Sequence, residues 1–147
     1  MKKIIKLFTC LLIIVTLSGC GSKKALKSND IKNKLSNLGF TINDVTSYME
    51  DKNIKNVITA NNGKYQIEFY TFDSKEDAKK AYETNVKNFT INKKNKKEKH
   101  EDNYDKFTQE LSDTYNMVIR LNNTLLYSSI NLEYKRDLNK TIKNLGY

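Results

Sequence analysis

The sequence predicts an α+β domain in which an antiparallel sheet of about five strands has helices packed on one face, in the order α-ββ-α-βββ-α. Two observations predict this class. Apolar residues recur at helical spacing within residues 31–38, 78–89 and 134–145. Short runs rich in β-branched and aromatic residues lie between these segments and are bounded by Asn, Asp, Ser or Gly, which favour turns.

The first predicted helix begins near Asn29 or Asp30, either of which caps a helix start well. Gly39 ends it as a left-handed cap, and Phe40 is expected to fold back onto the core. The apolar stripe of this helix consists of Ile31, Leu35 and Leu38. Residues 41–53 show no consistent periodicity, and we expect a turn with some helix around residues 43–49.

A β-hairpin follows, with strands over residues 53–60 and 64–72. Asn62 and Gly63 form its turn, since an Asn-Gly pair between β-rich runs is a strong hairpin signal. The second predicted helix is capped by Asp73 or Ser74. Its buried stripe consists of Ala78, Tyr82, Val86 and Phe89.

Residues 90–103 contain five lysines, one histidine and few apolar side chains, which predicts a mobile surface loop. Three strands joined by tight turns follow, over residues 103–111, 114–122 and 124–130. The last helix carries Tyr134, Leu138, Ile142 and Leu145 in helical register. Asn131 is its expected cap and Gly146 its expected stop.

The chain has 147 residues, enough for one small domain, and a formal net charge of +9. A basic protein invites a nucleic-acid interpretation, but only two of the 26 basic residues are arginines. Proteins that bind nucleic acids favour arginine, because its planar guanidinium group forms paired hydrogen bonds with phosphate and guanine. The composition therefore predicts no nucleic-acid partner. Two explanations of the many lysines stay open, which are attraction to anionic lipid or wall polymer and the codon usage of an AT-rich genome.

The N-terminus has the three parts of a signal peptide. Lys2, Lys3 and Lys6 give a positive start, and an apolar run extends from residue 7 to residue 17. Ser18 and Gly19 are small residues that suit a cleavage site directly before Cys20. The apolar run is shorter than the roughly 20 residues that a membrane-spanning helix needs.

The four residues Leu17-Ser18-Gly19-Cys20 resemble the lipobox of bacterial lipoprotein signal peptides. This resemblance implies cleavage between Gly19 and Cys20 and a diacylglyceryl group on the Cys20 thiol. Each buried methylene contributes about 0.8 kcal/mol, and two acyl chains anchor a protein stably where one does not. The implied location is the extracytoplasmic face of the cell membrane, with lipid as a partner through Cys20.

The resulting organisation is a signal peptide at 1–19, a lipidated Cys and flexible tether at 20–29, and one α+β domain at 30–147. Cys10 lies in the segment removed by cleavage, so no thiol remains for a disulfide, a zinc site or a nucleophile. The tether lysines are read equally well as a solvated spacer or as a source of attraction to anionic lipid.

Two longer stretches resemble small lipoproteins of low-GC Gram-positive bacteria. These are YQIEFYTFDSKEDAKKAYETN, at 65–85, and NTLLYSSINLEYKRDLNKTIKNLGY, at 123–147. Neither stretch carries a catalytic motif. The resemblance implies a family and a compartment and leaves the function open.

The sequence predicts no catalytic residue, no cofactor and no metal site. His100 is the only histidine and falls in the predicted loop, with nothing adjacent to orient it. The acidic residues around it lack the glycine and ligand spacing of a calcium loop, and no glycine-rich phosphate loop occurs. We therefore expect a protein that is not an enzyme.

Two surfaces remain as candidate contacts. Glu68, Tyr70 and Phe72 share the polar face of a strand and are candidates to line a groove with Arg120 and Asn116. The pattern favours the other interpretation, a tyrosine-rich face of a half-buried sheet without a site. The basic loop supplies the second surface: Lys93, Lys94, Lys96, Lys97 and Lys99. We expect a protein, peptide or anionic wall or lipid polymer as partner. The alternatives are a small-ligand-binding accessory of an envelope transport system and a passive surface protein.

Overall fold

The computed structural model of the chain describes residues 23–89 and 95–147. Cys20, the lipobox, Lys93 and Lys94 lie outside these ranges. The described residues form a mixed α and β structure, so the predicted general class is confirmed. Its seven strands form one antiparallel sheet, in the order β1-β2-β3-β7-β6-β5-β4, and the predicted count of about five strands is wrong.

The order of elements along the chain is α-βββ-α-ββββ-α. The three helices are α1 (Ser28–Asn37), α2 (Lys75–Phe89) and α3 (Lys135–Leu145). The seven strands are β1 (Thr41–Asp44), β2 (Ile54–Asn61), β3 (Gln66–Phe72), β4 (Lys96–Glu101), β5 (Tyr104–Glu110), β6 (Thr114–Leu121) and β7 (Thr124–Asn131). Short 3₁₀ turns at Thr46–Tyr48 and Leu132–Tyr134 complete the described secondary structure.

The two strands that the sequence did not predict lie at the two edges of the sheet. β1 replaces the expected turn and helix at the start of residues 41–53, and it pairs with β2. β4 lies within the segment predicted as a loop and pairs with β5 from Lys96 opposite Gln109 to Glu101 opposite Tyr104. All six residues of β4 are exposed, so its polar sequence is that of an edge strand.

The prediction that all helices pack on one face is wrong. Successive residues of a strand point to opposite faces, and the two sides of β6 belong to different clusters. Met117 and Ile119 pack in the cluster that contains Ile31 of α1 and Ile142 of α3, whereas Val118 packs in the cluster that contains α2. Helices α1 and α3 therefore cover one face, and α2 covers the other, which we call the α2 face.

Helix ends largely follow the predicted signals. Ser74 Oγ accepts from the Asp77 amide at 3.0 Å and donates to the Asp77 carboxylate at 2.6 Å, which fixes the start of α2. Gly39 takes a φ of 84° after α1, and Phe40 returns to the core as expected. The predicted cap of α1 is wrong, because the helix begins at Ser28 after Lys27, which makes no side-chain capping bond.

The turn that leads into the last helix and the end of that helix also follow the predicted signals. The Asn131 side chain accepts a 3.0 Å hydrogen bond from the Glu133 amide and thereby caps the 3₁₀ turn that leads into α3. Gly146 ends α3 in the left-handed region with a φ of 91°. This position strongly favours glycine because a side chain there would be strained.

Candidate functional site

Helix α2 lies across the middle of the α2 face, over β6 and β7, and depressions flank it on both sides. Ala78 and Tyr82 are the fully buried residues of the helix. They pack on Phe107, Val118 and Leu125 from three adjacent strands. Because α2 covers only the centre of this face, the strand residues on either side of it line surface pockets.

The first pocket lies between α2 and strands β3 and β7 and has a volume of about 430 Å³. We call it the tyrosine groove and define it by Asp51, Glu68, Tyr70, Ala81, Asn85 and Tyr127. Ile54, Phe72 and Leu125 add an apolar lining. The volume falls in the range of small-molecule sites.

Strand geometry places Glu68 between the two tyrosines. Tyr70 lies two residues along β3 on the same face, and its hydroxyl donates a 2.6 Å hydrogen bond to Glu68 Oε2. Tyr127 lies directly opposite Glu68 in the pairing of β3 with β7. The other carboxylate oxygen, Oε1, accepts from Gln66 Nε2 at 3.2 Å.

Both tyrosines of the groove are held protonated. Burial raises the pKa of Tyr70, and the hydrogen bond to Glu68 raises it further. Burial also raises the pKa of Tyr127, with the Glu68 carboxylate as the second cause. A phenolate beside this carboxylate would be repelled, so both side chains remain neutral rings with a donor hydroxyl.

The tyrosine rings are fixed by aromatic neighbours. Tyr70 stacks on Phe72 with centroids 6.2 Å apart, and Tyr127 stacks on Phe89 of α2 with centroids 5.7 Å apart. Phe89 in turn stacks on Phe107 at 6.1 Å. These contacts connect the groove to the core beneath α2 and hold the two tyrosine rings in place.

The second pocket lies at the N-terminal end of α2, beside β4, β5 and β6, and has a volume of about 750 Å³. We call it the charged pocket. Its strand side carries His100, Asp105 and Arg120, and its helix side carries Lys75, Glu76 and Lys79. Charges of both signs line it, so it has no clear preference for an anion or a cation.

Asp105 is the centre of a hydrogen-bonded network in the charged pocket. Its Oδ2 accepts from Arg120 Nε, and its Oδ1 lies 2.8 Å from His100 Nδ1. The side chains of Asp105 and Arg120 are almost fully buried, whereas the His100 side chain is 59% exposed. The hydrogen bond to Asp105 raises the pKa of His100, and Glu98 at 3.4 Å from Nε2 adds to this effect.

His100 is oriented by a residue that is not adjacent to it in the sequence. Its carboxylate partner lies on the neighbouring strand, in direct register with it, and is not one of its immediate neighbours along β4. Tyr82 of α2 meets the His100 ring edge to face, with centroids 6.4 Å apart. Among the described residues the buried Tyr82 hydroxyl has no hydrogen-bond partner, and burial followed by the charge of Asp105 raises its pKa.

The His100–Asp105 pair has the arrangement of the histidine and the aspartate of a catalytic triad. Nε2, which would act as the general base, faces the Glu98 carboxylate at 3.4 Å. The described residues contain no group of three or more His, Cys, Asp or Glu side chains that could hold a metal ion. The network therefore ties β4, β5 and β6 together through charge.

The predicted grouping of Glu68, Tyr70 and Arg120 is only partly right. Glu68 and Tyr70 line the tyrosine groove, as expected. Arg120 lies on the same sheet face, but Leu125 separates it from Tyr70, because Leu125 pairs with both residues from its place on β7. Helix α2 covers this intervening position, so Arg120 belongs to the charged pocket.

The predicted basic contact surface is interrupted by acidic residues where the structure describes it. Lys96 pairs with Glu98 at 2.9 Å, and Lys99 pairs with Glu101 at 2.6 Å. Lys97 is exposed on the same strand. Alternation of Lys and Glu along β4 leaves little excess positive charge, and it suits an edge strand that must avoid pairing with another chain.

Four of the six residues that define the groove were not predicted as groove residues: Asp51, Ala81, Asn85 and Tyr127. Asp51 falls in the segment without periodicity, and Asn85 lies beside the buried stripe of α2. Tyr127 shares one face of β7 with Leu125 and Ser129, and this period of two was the available signal. The signal was insufficient because it does not tell which strand lies beside β7.

Comparisons of the chain with protein-family models, with curated proteins and with solved structures find no match. Within residues 23–89 and 95–147, no helix is long and apolar enough to cross a membrane.

Proposed function

We propose that this chain is a lipid-anchored, extracytoplasmic binding protein that is not an enzyme and that takes a small ligand in the tyrosine groove. Acylated Cys20 holds it on the outer face of the membrane. The observation that carries the binding role is the groove itself. It is an open pocket of about 430 Å³ in which Glu68, Tyr70 and Tyr127 converge on one strand pairing.

Two properties of the groove support a ligand site. Its polar groups are few and fixed in position, with the Tyr70 hydroxyl on Glu68 and the Tyr127 ring on Phe89. Besides Asp51 and Asn85, its remaining lining is apolar and aromatic, and such a lining with a few polar groups is the usual composition of a small-molecule site. A lipid-anchored protein with such a site suits an accessory of an envelope transport system.

A macromolecular partner on the basic surface has less support. An anionic polymer needs a continuous run of positive charge, and the carboxylates of Glu98 and Glu101 pair with two of the three described lysines of β4. The groove therefore takes precedence over β4 as the proposed contact area.

The membrane anchor is tested by metabolic labelling with an alkyne-tagged fatty acid in a bacterial host. The wild-type chain is expected to take up label and to sediment with membranes. The Cys20→Ala variant is expected to lose the label and to be released or mislocalised. An unlabelled wild-type chain, together with a membrane-bound variant, would overturn this part of the proposal.

The groove is tested with the full acylated chain in micelles of an uncharged detergent, labelled with fluorotyrosine. The chain has nine tyrosines, whose fluorine signals are assigned from single Tyr→Phe variants. A library of small fragments of mixed charge is then added. We expect binding fragments to shift the signals of Tyr70 and Tyr127 and to leave that of Tyr48, which is 79% exposed, unchanged. A library without effect on either groove signal would contradict the proposal.

A further inference from the structure

We propose that the ligand of the tyrosine groove is an organic cation, an ammonium group with apolar substituents. This inference rests on the proposed function, because it names the ligand class of the same site. It is carried by the sign of the charges in the groove, by the two tyrosine rings beside Glu68 and by the free hydrogen-bonding capacity of that carboxylate.

The charge of the groove is opposite to that of the chain. The whole sequence has 26 Lys and Arg residues against 17 Asp and Glu residues. The described lining of the groove nevertheless contains two carboxylates, Asp51 and Glu68, and no Lys, Arg or His. A local excess of negative charge on a basic protein attracts cations and repels anions.

A neighbouring depression of about 370 Å³ continues the groove along α2 and shares Asp51, Ala81 and Asn85 with it. Its charged groups besides Asp51 are Asp77 and Lys80. The two depressions together therefore present three carboxylates and one ammonium. Anions are disfavoured along the whole length of this surface.

The aromatic rings of the groove are also placed to contact a cation. Tyr127 lies opposite Glu68, and Tyr70 is hydrogen-bonded to it, so one cation can contact both rings and the carboxylate. The face of an aromatic ring carries negative potential, and an ammonium group over it gains roughly 0.5–2 kcal/mol. Stacking on Phe72 and Phe89 uses one face of each ring, and both tyrosines line the groove.

Glu68 keeps capacity for an ammonium donor. Its Oε2 accepts from Tyr70 and its Oε1 accepts from Gln66, which occupies one lone pair on each oxygen. An ionised carboxylate has about four acceptor positions, so two remain. The apolar lining from Ile54, Phe72 and Leu125 then suits the carbon substituents of the cation.

The test compares choline with its uncharged carbon analogue, dimethylbutanol, on the full acylated chain in uncharged micelles. Pentylamine and pentanol serve as a second matched pair, so that a primary ammonium is also represented. Binding is followed through the fluorotyrosine signals of Tyr70 and Tyr127. We expect at least one of the cations to saturate these signals at a concentration roughly tenfold lower than its neutral analogue, since one charge-assisted contact adds about 1.4 kcal/mol or more.

Two variants identify the source of the preference. Glu68→Gln keeps an acceptor for Tyr70 and removes the charge, so the preference for the cation should fall to no more than the roughly fivefold that a tyrosine ring supplies. Tyr127→Leu should weaken the cation about fivefold and leave the neutral analogue nearly unchanged, in line with the size of a cation–π contact. Glu83→Gln is the matched control, because Glu83 is exposed on α2 outside the groove lining, and it should leave the preference intact.

The outcomes separate this inference from the proposed function. If the neutral analogues bind at the groove as tightly as the cations, the groove is a ligand site and the cation inference is wrong. The cation inference is equally wrong if neither pair binds while other library fragments shift Tyr70 and Tyr127. If no compound of any charge shifts these two signals, the proposed function fails as well.

Discussion

Arg120 donates from Nε to Oδ2 of Asp105 at a position where the two side chains are only 6% and 9% exposed. The pair lies directly across β5 and β6 in the strand register. Charges that are removed from water to this degree depend on each other, because neither has solvent as an alternative partner. Asp105 uses its second oxygen for His100, which joins β4 to the same network.

We expect Arg120→Met to lower the free energy of unfolding by about 3–5 kcal/mol, since it leaves the Asp105 carboxylate buried without its main counter-charge. Urea denaturation followed by circular dichroism measures the change. The chain has one other arginine, Arg136, which is exposed on α3. The matched variant Arg136→Met should change the free energy by less than about 0.5 kcal/mol. Equal losses in the two variants would contradict the role of the buried pair.

His100 should make the stability of the domain depend on pH. Its pKa in the folded chain is raised by Asp105 and then by Glu98, so folding favours the protonated ring. The stabilisation is therefore complete below the ordinary pKa of about 6.5 and is lost as the pH rises through the folded-state value. The effect stays below about 1 kcal/mol because the ring is largely exposed.

The measurement is the difference in unfolding free energy between the wild type and His100→Gln, taken at several values between about pH 5 and pH 8, where histidine titrates. The wild type should be the more stable at the acidic end, and the difference should shrink towards the alkaline end. A difference that grows with pH would show that the neutral ring is the favoured form, contrary to our expectation.

Phe107 tests whether α2 covers a true second core. It is fully buried on the α2 face, and Phe89 of α2 stacks on it. Phe107→Ala should cost about 3–5 kcal/mol of unfolding free energy through lost burial and the cavity that remains. Tyr48→Ala removes an aromatic ring that is 79% exposed and should cost little. A negligible loss for Phe107→Ala would mean that α2 does not pack on this face.

The edge strand β4 should protect the chain from self-association. Its lysines and glutamates are all exposed, and an uncharged edge would offer its unpaired backbone groups to another copy. We expect the double variant Lys97→Ile with Lys99→Ile to form oligomers in sedimentation velocity experiments. The control is the double variant Lys140→Ile with Lys143→Ile, which makes the same change in charge and apolarity at two exposed positions on α3. This control should associate no more than the wild type does. Similar association in both variants would point to hydrophobicity alone.

The sequence predicted the elements that have a strong internal pattern. The Asn-Gly hairpin turn and the Ser74 cap both appear where expected. β4 was missed because its polar residues carry no apolar period, and it forms a strand only through its pairing with β5. Local pattern cannot reveal a strand that is specified by its neighbour.

The side of the sheet on which α2 packs was also hidden from the sequence. Asn116 and Arg120 on β6 are polar, as residues of a solvated face usually are, but both are buried. Arg120 pairs with Asp105, and Asn116 accepts from Ser129 at 2.7 Å. Polar residues that satisfy each other across strands look like surface residues in a sequence. The groove was predicted only in part, because Glu68 meets Tyr127 through the pairing of β3 with β7, which the sequence does not show.

Filling the tyrosine groove tests the proposed ligand site most directly. Ala81 of α2 lines the groove, and Ala81→Phe places a ring in the space that we assign to the ligand. Glu83→Phe adds the same ring to the exposed side of the helix and is the control. With a cation that binds the wild type, we predict that the fluorotyrosine response of Tyr70 and Tyr127 disappears in Ala81→Phe and persists in Glu83→Phe. Binding of wild-type strength to a folded Ala81→Phe chain would contradict the assignment of the groove as the ligand site.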